Sequence, residues 1–282
     1  VKVGGAFDVM SGMLVEKHGF DAIWAGGFGV SAVRALPDAS IVSMTEFLDV
    51  ASSIANKCKI PVIADCDTGY GGPSNVAYTV KKFEAGGIAG ISIEDKHFPK
   101  QNSLFEDGVQ DLISKKDFAA KIIAAKNAKS DPNFLIIART EALIAGLSVN
   151  EAIDRANDYE KAGADAIFIH SKKNTPDEIF EFCDLWKGKI PIVVVPTAYP
   201  NVKLNELKSH NIKMVIYAHQ SFLASYQAVS NVLNELVNAE SVSEIKTPMA
   251  TMNEIFKFQG LEELRKDELI IEKNLKQLGY ID

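Results

Sequence analysis

Short apolar runs alternate along the chain with longer amphipathic stretches, and little separates them. The apolar runs lie at residues 1–5, 22–24, 60–64, 89–93, 134–138, 166–169, 190–195 and 214–217. Runs of this length, rich in Val, Ile and Ala and not alternating with polar residues, read as strands buried on both faces. Between them the period lengthens to that of a helix. Asp8 stands where an N-cap belongs, ahead of a helix that stops at Gly19. A helix is expected at about residues 45–56, and another from Ser74 with Val76, Val80 and Phe83 on one face, ended by Gly86 and Gly87. Ser148 with Glu151, and Thr175 with Glu178, have the spacing of capping boxes. Residues 25–29, AGGFG, read as a loop, and from His219 the chain reads as helical with a polar break at about 241–248. Eight strand signals, each followed by a helix signal, predict an α/β fold, a (β/α)₈ TIM-type barrel, in preference to an open doubly wound sheet.

Composition adds limits. With 282 residues and 47% hydrophobic content, one barrel uses nearly the whole chain, so residues 1–282 are expected to form one domain with a helical extension from about residue 219. A net charge of −7, with no Lys/Arg run longer than two, gives no footprint for nucleic acid or an anionic membrane. There is no apolar stretch of membrane-span length and no basic-then-apolar leader, so a cytoplasmic protein is expected. Cys58, Cys66 and Cys183 are too few and too scattered for a disulfide framework or a zinc motif. Cys66 is expected to face away from the two aspartates that flank it.

The chemistry gathers where the strands end. The run at 60–64 opens into Asp65, Asp67 and the glycines 69, 71 and 72. If the strand persisted, both carboxylates would leave the same face, roughly 6–7 Å apart. The plain alternative is two acids capping a turn. Trp24, Glu94, Arg139 and His170 end four other runs, and Asp38 sits in a turn after Pro37. Charges that recur at one end of a barrel need mutual compensation or an ion. Asp38, Asp65, Asp67 and Glu94 make an oxygen-rich set suited to Mg²⁺, which takes one or two carboxylates and keeps several waters; Mn²⁺ and Co²⁺ are alternatives. Arg139 and His170 would face an anionic small-molecule substrate from the other side. Taken singly, Arg139 also reads as a structural partner of Glu94 or Glu141, and His170 as a satisfied core histidine. The segment EDKHFPKQNS that follows is polar and broken by proline, and it carries Lys96, Lys100 and Asn102. It reads as a lid over the site or as a solvated loop.

WAGGF, DCDTGYGG, EDKHFPKQNS, ARTEALIAG and GADAIFIHSKK, in this order and at these spacings, resemble the phosphoenolpyruvate mutase branch of the isocitrate lyase superfamily. The resemblance runs from about residue 5 to about residue 260. It implies a barrel whose eighth helix is swapped between subunits of a homo-oligomer, usually a tetramer. It also implies transfer of a phosphoryl group between the enol oxygen and C3 of phosphoenolpyruvate. By the same resemblance, Asp65 is the direct Mg²⁺ ligand, and Asp38, Asp67 and Glu94 hold the metal's waters. Arg139 and His170 contact the phosphoryl group, and Lys100, Asn102 and Ser103 belong to the gating loop. Trp24 walls the pocket, and the amides of Gly27 and Phe28 take the substrate carboxylate. Asp38 is the candidate should the group pass through the enzyme covalently. One departure is Gly26, where the family usually has serine.

Three other readings bear on the activity. The carbon-carbon lyases of the superfamily carry a cysteine in the gating loop, and residues 96–103 contain none. Phosphonopyruvate hydrolase shares the metal set, and TPDEI with VPTAYP resembles it at least as well, but it typically has threonine where Asn102 stands. A barrel without activity, kept for binding or assembly, has only Gly26 in its favour.

Overall fold

The computed structural model describes residues 1–281. Eight parallel strands close into a barrel in chain order. They are β1 (Lys2–Ala6), β2 (Ala22–Ala25), β3 (Val62–Asp65), β4 (Gly90–Glu94), β5 (Leu135–Thr140), β6 (Ala166–Ile169), β7 (Ile192–Val194) and β8 (Ile212–Tyr217). The helices are α1 (Val9–Lys17), α2 (Gly27–Ala32), α3 (Met44–Lys57), α4 (Pro73–Ala85), α5 (Lys115–Ala128), α6 (Val149–Lys161), α7 (Asp177–Leu185) and α8 (Leu204–Ser209). Then come α9 (Gln220–Leu236), α10 (Met252–Gln259) and α11 (Leu261–Gln277). All eight expected strands are present, shifted by at most two residues at their ends. Parallel strands joined by helices must lie under those helices. Accordingly one core fills the space between strands and helices, with Ile23, Val80, Phe83, Ile91, Phe118 and Phe182 fully buried in it. A second, smaller core fills the barrel itself, from Val3, Trp24, Ile63, Ile137, Phe168 and Val193.

Local chemistry explains most of the boundaries. The Asp8 carboxylate caps α1 by accepting from the Ser11 amide at 2.7 Å, and Gly19 takes a φ of 78° just beyond the helix. Ser43 and Glu46 form a full capping box on α3.

Four expectations change. Residues 27–32 are not loop but the short helix α2, whose first turn begins directly at the end of β2. The capping box at Thr175 does not form: α7 starts at Asp177 with Pro176 as its cap, and the Glu178 side chain turns instead to the Ser171 hydroxyl and to Lys173 at 2.6 Å. At α6, Ser148 caps the Glu151 amide at 3.2 Å, but the Glu151 carboxylate pairs with Arg155 rather than closing a box. β3 ends at Asp65, and Asp67 takes a left-handed φ of 49°, so the two aspartates do not leave a common strand face.

The described chain forms two compact units, one from Val1 to Ser225 and a second from Tyr226. In the second unit, Thr251 and Glu254 form a capping box on α10, and Gly260, at a φ of 76°, joins α10 to α11. Leu264, Ile270 and Ile271 of α11 are exposed. No helix among the described residues is long and apolar enough to cross a membrane.

Candidate active site

Barrel register sets the floor of the site. Glu94 pairs with Arg139 across β4 and β5, Arg139 with Phe168 across β5 and β6, and Trp24 with Ile63 across β2 and β3. Trp24, Glu94, Arg139 and Phe168 lie at or next to the carboxyl ends of their strands, where this fold opens to ligands. One cavity there is lined by Trp24, Gly26, Gly27, Phe28, Asp38, Asp65, Lys100, Asn102, Ser103, Arg139 and His170. Asp67 and Glu94 are buried just behind it, 2% and 1% exposed. The structure therefore brings together every residue singled out from the sequence.

The acidic side is tightly organised. Asp65 Oδ1 accepts from the Asp67 amide at 3.2 Å, and its Oδ2 faces the Gly27 amide at 3.4 Å. The Lys100 ammonium lies between Asp38 Oδ1 at 3.0 Å and Asp67 Oδ1 at 2.9 Å, brought there by the loop after β4. Burial pushes the Asp67 carboxyl up to about 6 despite Lys100, and pushes Glu94 up to about 7 against the pull of Arg139 and Lys100. Asp38 goes the other way: its burial is outweighed by Lys100, with help from Asn102, and its carboxyl is held below the usual range.

Arg139 dominates the opposite side. Its Nε reaches Glu141 Oε1 at 2.5 Å and lies 3.4 Å from Glu94 Oε2, while Nη2 lies 2.8 Å from His170 Nδ1. The guanidinium carbon sits 4.8 Å from the Phe168 ring centroid, a cation-π stack that fixes its plane. Both structural partners foreseen for Arg139 are thus real, and the residue also lines the cavity. Burial and the adjacent Arg139 hold the His170 pKa below its ordinary value, so the ring is neutral near pH 7.

The segment after β4 is a flap pinned at its base. Lys96 bridges Leu112 in antiparallel fashion, and the His97 amide donates to the Asp111 carbonyl at 3.0 Å. Its tip lies over the cavity, with the Asn102 side-chain amide donating to Asp38 Oδ2 at 2.7 Å. The Ser103 hydroxyl is buried among Lys96, Arg139 and Glu141. Gly26 has a packing correlate: a Cβ there would lie 2.9 Å from Trp24 Cδ1 and 3.0 Å from its Nε1, so the indole occupies the space a side chain would need.

Sequence reading missed His219, and it named Lys96 only as a cation of the lid segment and Glu141 only as a structural partner of Arg139. His219 stands one residue beyond β8, after Ala218, and lines the cavity close to the strand-end position that exposed the others. Lys96 is 1% exposed and Glu141 is fully buried, so both belong to the site's frame and not to a solvated loop. Cys66 packs in the core between strands and helices, away from the carboxylates as expected.

A profile of the family described as phosphoenolpyruvate phosphomutase matches residues 3–237. The chain belongs to that family. Among its relatives is the phosphonopyruvate hydrolase of Variovorax sp. (strain Pal2), 44% identical over 256 residues, with 90% of this chain and 88% of the relative covered. In structure it is similar to a phosphoenolpyruvate phosphomutase from Streptomyces platensis subsp. rosaceus, with a TM-score of 0.93, 44% identity, and 95% and 93% of the two chains covered. A phosphonopyruvate hydrolase in complex with oxalate and Mg²⁺ superposes with a TM-score of 0.90 at 41% identity, over 95% of this chain and 93% of that one. The family thus holds both a mutase and a hydrolase on this fold.

A family member carries Mg²⁺, and the donors of this chain suit it. Both oxygens of Glu94 are buried without a hydrogen bond among the described residues, and Asp38 Oδ1 and Asp67 Oδ1 share the single Lys100 ammonium, so the carboxylate cluster calls for further positive charge. No three His, Cys, Asp or Glu side chains among the described residues are grouped to ligate one ion directly.

Proposed function

We propose that the chain is a cytoplasmic, Mg²⁺-dependent phosphoenolpyruvate mutase that moves a phosphoryl group between the enol oxygen of phosphoenolpyruvate and C3, giving phosphonopyruvate. The observation that carries this reading is the state of Asp38 under the flap. Its Oδ2 takes both the Asn102 amide at 2.7 Å and the Lys100 ammonium at 3.1 Å. A carboxylate so saturated is a poor base toward an incoming water, and Asn102 itself supplies none. Transfer within the substrate is then favoured over hydrolysis.

In this reading Asp65 holds the metal directly, and Asp38, Asp67 and Glu94 hold its waters. When bound, Mg²⁺ supplies a Lewis acid for phosphoryl and enolate oxygens, and Mn²⁺ or Co²⁺ is expected to substitute. Arg139 spreads the charge of the moving group, its plane already fixed by Phe168. Neutral His170, its Nδ1 held between Arg139 Nη2 and Glu141 Oε1, turns Nε2 toward a phosphoryl oxygen. The Gly27 and Phe28 amides take the carboxylate beside the wall made by Trp24. Lys100, Asn102 and Ser103 of the flap keep water from the group while it is unattached. The exposed apolar face of α11 supports a homo-oligomer, expected to be a tetramer built as a dimer of helix-swapped dimers.

The hydrolase reading has its own support in the 44% identity to the Variovorax enzyme. Phosphonopyruvate with Mg²⁺, followed by phosphorus NMR, tests both. Phosphoenolpyruvate as the early product supports the mutase. Phosphate with pyruvate and no early phosphoenolpyruvate means hydrolysis. No turnover of any kind means a barrel kept for binding.

A further inference from the structure

We propose that Glu141 is a positioning residue that ties closure of the flap to the orientation of Arg139 and His170. As far as turnover is concerned, this rests on the function proposed above. Glu141 follows β5 and is fully buried. Its two oxygens face different parts of the molecule. Oε1 accepts from Arg139 Nε at 2.5 Å and lies 3.1 Å from His170 Nδ1, both lining the cavity. Oε2 accepts from the Ser103 hydroxyl of the flap and lies 3.2 Å from Lys96 Nζ at the flap's base. A single carboxylate therefore joins the flap to the phosphoryl-facing pair.

The connection is closed by Ser103. Its Oγ accepts from Arg139 Nη2 at 3.0 Å and from Lys96 Nζ at 2.7 Å, and Lys96 also donates to the Gln101 carbonyl at 2.8 Å. Lifting the flap would remove one of the two partners of Arg139 Nη2, leaving His170 Nδ1, and the hydroxyl on Glu141 Oε2 together. The frame beneath would not follow it. The Glu141 amide donates to Asp95 Oδ1 at 2.8 Å, and Asp95 Oδ2 is fixed by Tyr159 at 2.6 Å, Arg155 at 3.1 Å and the Thr140 hydroxyl at 3.1 Å. Glu141 thus stays with the barrel and offers the flap one fixed docking point. Arg139 is fully oriented only when that point is taken.

The test uses Ser103→Ala, Glu141→Gln, their double variant, and Ser103→Thr, which keeps the hydroxyl. Melting curves confirm that each is folded. In protein without substrate, protease cleavage within residues 96–112 is expected to speed up about tenfold in Ser103→Ala and in Glu141→Gln, although residue 141 lies outside the cleaved segment. Ser103→Thr is expected to stay within about twofold of the unmodified protein. With phosphonopyruvate and Mg²⁺, each loss variant is expected to lower kcat about tenfold with KM changed less than about threefold, and the double variant to be no worse than the poorer single one. Multiplying losses in kcat, or unchanged cleavage in Ser103→Ala, would overturn the coupling. If Glu141→Gln does not fold, the contrast of Ser103→Ala with Ser103→Thr decides it. If the unmodified protein turns over no phosphonopyruvate, the functional reading fails while the proteolysis still decides the coupling.

Discussion

The Asn102 side-chain amide donates to Asp38 Oδ2 at 2.7 Å, and Asn102 Oδ1 accepts from the Leu104 amide at 2.9 Å. Both ends of the carboxamide are engaged, so it is held rigidly across the cavity mouth. Threonine is shorter and cannot make both contacts. Asn102→Thr would free Asp38 Oδ2 and leave space for a water beside it. We expect the fraction of phosphonopyruvate released as phosphate and pyruvate to rise at least about fivefold, roughly 1 kcal/mol in the competition between transfer and hydrolysis. Phosphorus NMR with a lactate dehydrogenase assay for pyruvate measures it, and an unchanged ratio would remove Asn102 as the determinant.

Metal removal gives a second test. Among the described residues Glu94 has no hydrogen bond to either oxygen, and its nearest cations, Arg139 Nε at 3.4 Å and Lys96 Nζ at 4.0 Å, are shared with Glu141. The site is short of positive charge. Chelation is expected to abolish turnover and added Mg²⁺ to restore it, while Asp65→Ala stays inactive at any Mg²⁺ concentration. Full activity in chelator would exclude the metal assignment.

How much of this was legible in the sequence depends on where each signal lies. Strand ends were readable because a buried run that stops at a charge is rare unless the charge is used. Asp65, Glu94, Arg139 and His170 all stood out that way. The helix α2 was not readable, since GGFGVSA combines poor helix formers, and only Gly26 separates its start from β2. The geometry of Asp67 was lost for a related reason: the glycine-rich loop already turns at residue 67, before the first glycine. Glu141 was legible only as a neighbour of Arg139, because the rest of its importance comes from Asp95, Ser103 and Lys96, which are distant in sequence and meet it only in the fold.

Barrel closure supplies a stability prediction. A Cβ on Gly5 would fall on the Ala218 carbonyl where β1 meets β8. Backbone cannot move aside as a side-chain end can, so Gly5→Ala must open the seam between first and last strands. We expect a loss of at least ~2 kcal/mol in chemical denaturation. Gly146→Ala is the comparison: no atom stands within 4 Å of its Cβ position, so its only cost is the φ of 77°, about 1 kcal/mol. Equal losses in the two variants would show that the seam tolerates the methyl.

His219 gives the pH prediction. It lines the cavity, with its ring 4.9 Å from that of Phe28, and burial pushes its pKa down to about 4, helped by the neighbouring His170 and Arg139. The folded pKa therefore lies below the ordinary value near 6.5, and the unfolded chain binds the proton first. Above about pH 6.5 the ring is neutral in both states and its contribution to stability is full. As pH falls from there toward about 4 the unfolded state alone gains the proton, and that contribution is lost. His219→Gln cannot take a proton, so the variant is expected to lose less stability than the unmodified protein over this window. Asp67 and Glu94 also titrate in this range, so the quantity to compare is the difference between the two proteins at each pH. Urea denaturation at several pH values measures it. A difference that is constant with pH would mean that His219 titrates alike in folded and unfolded chains.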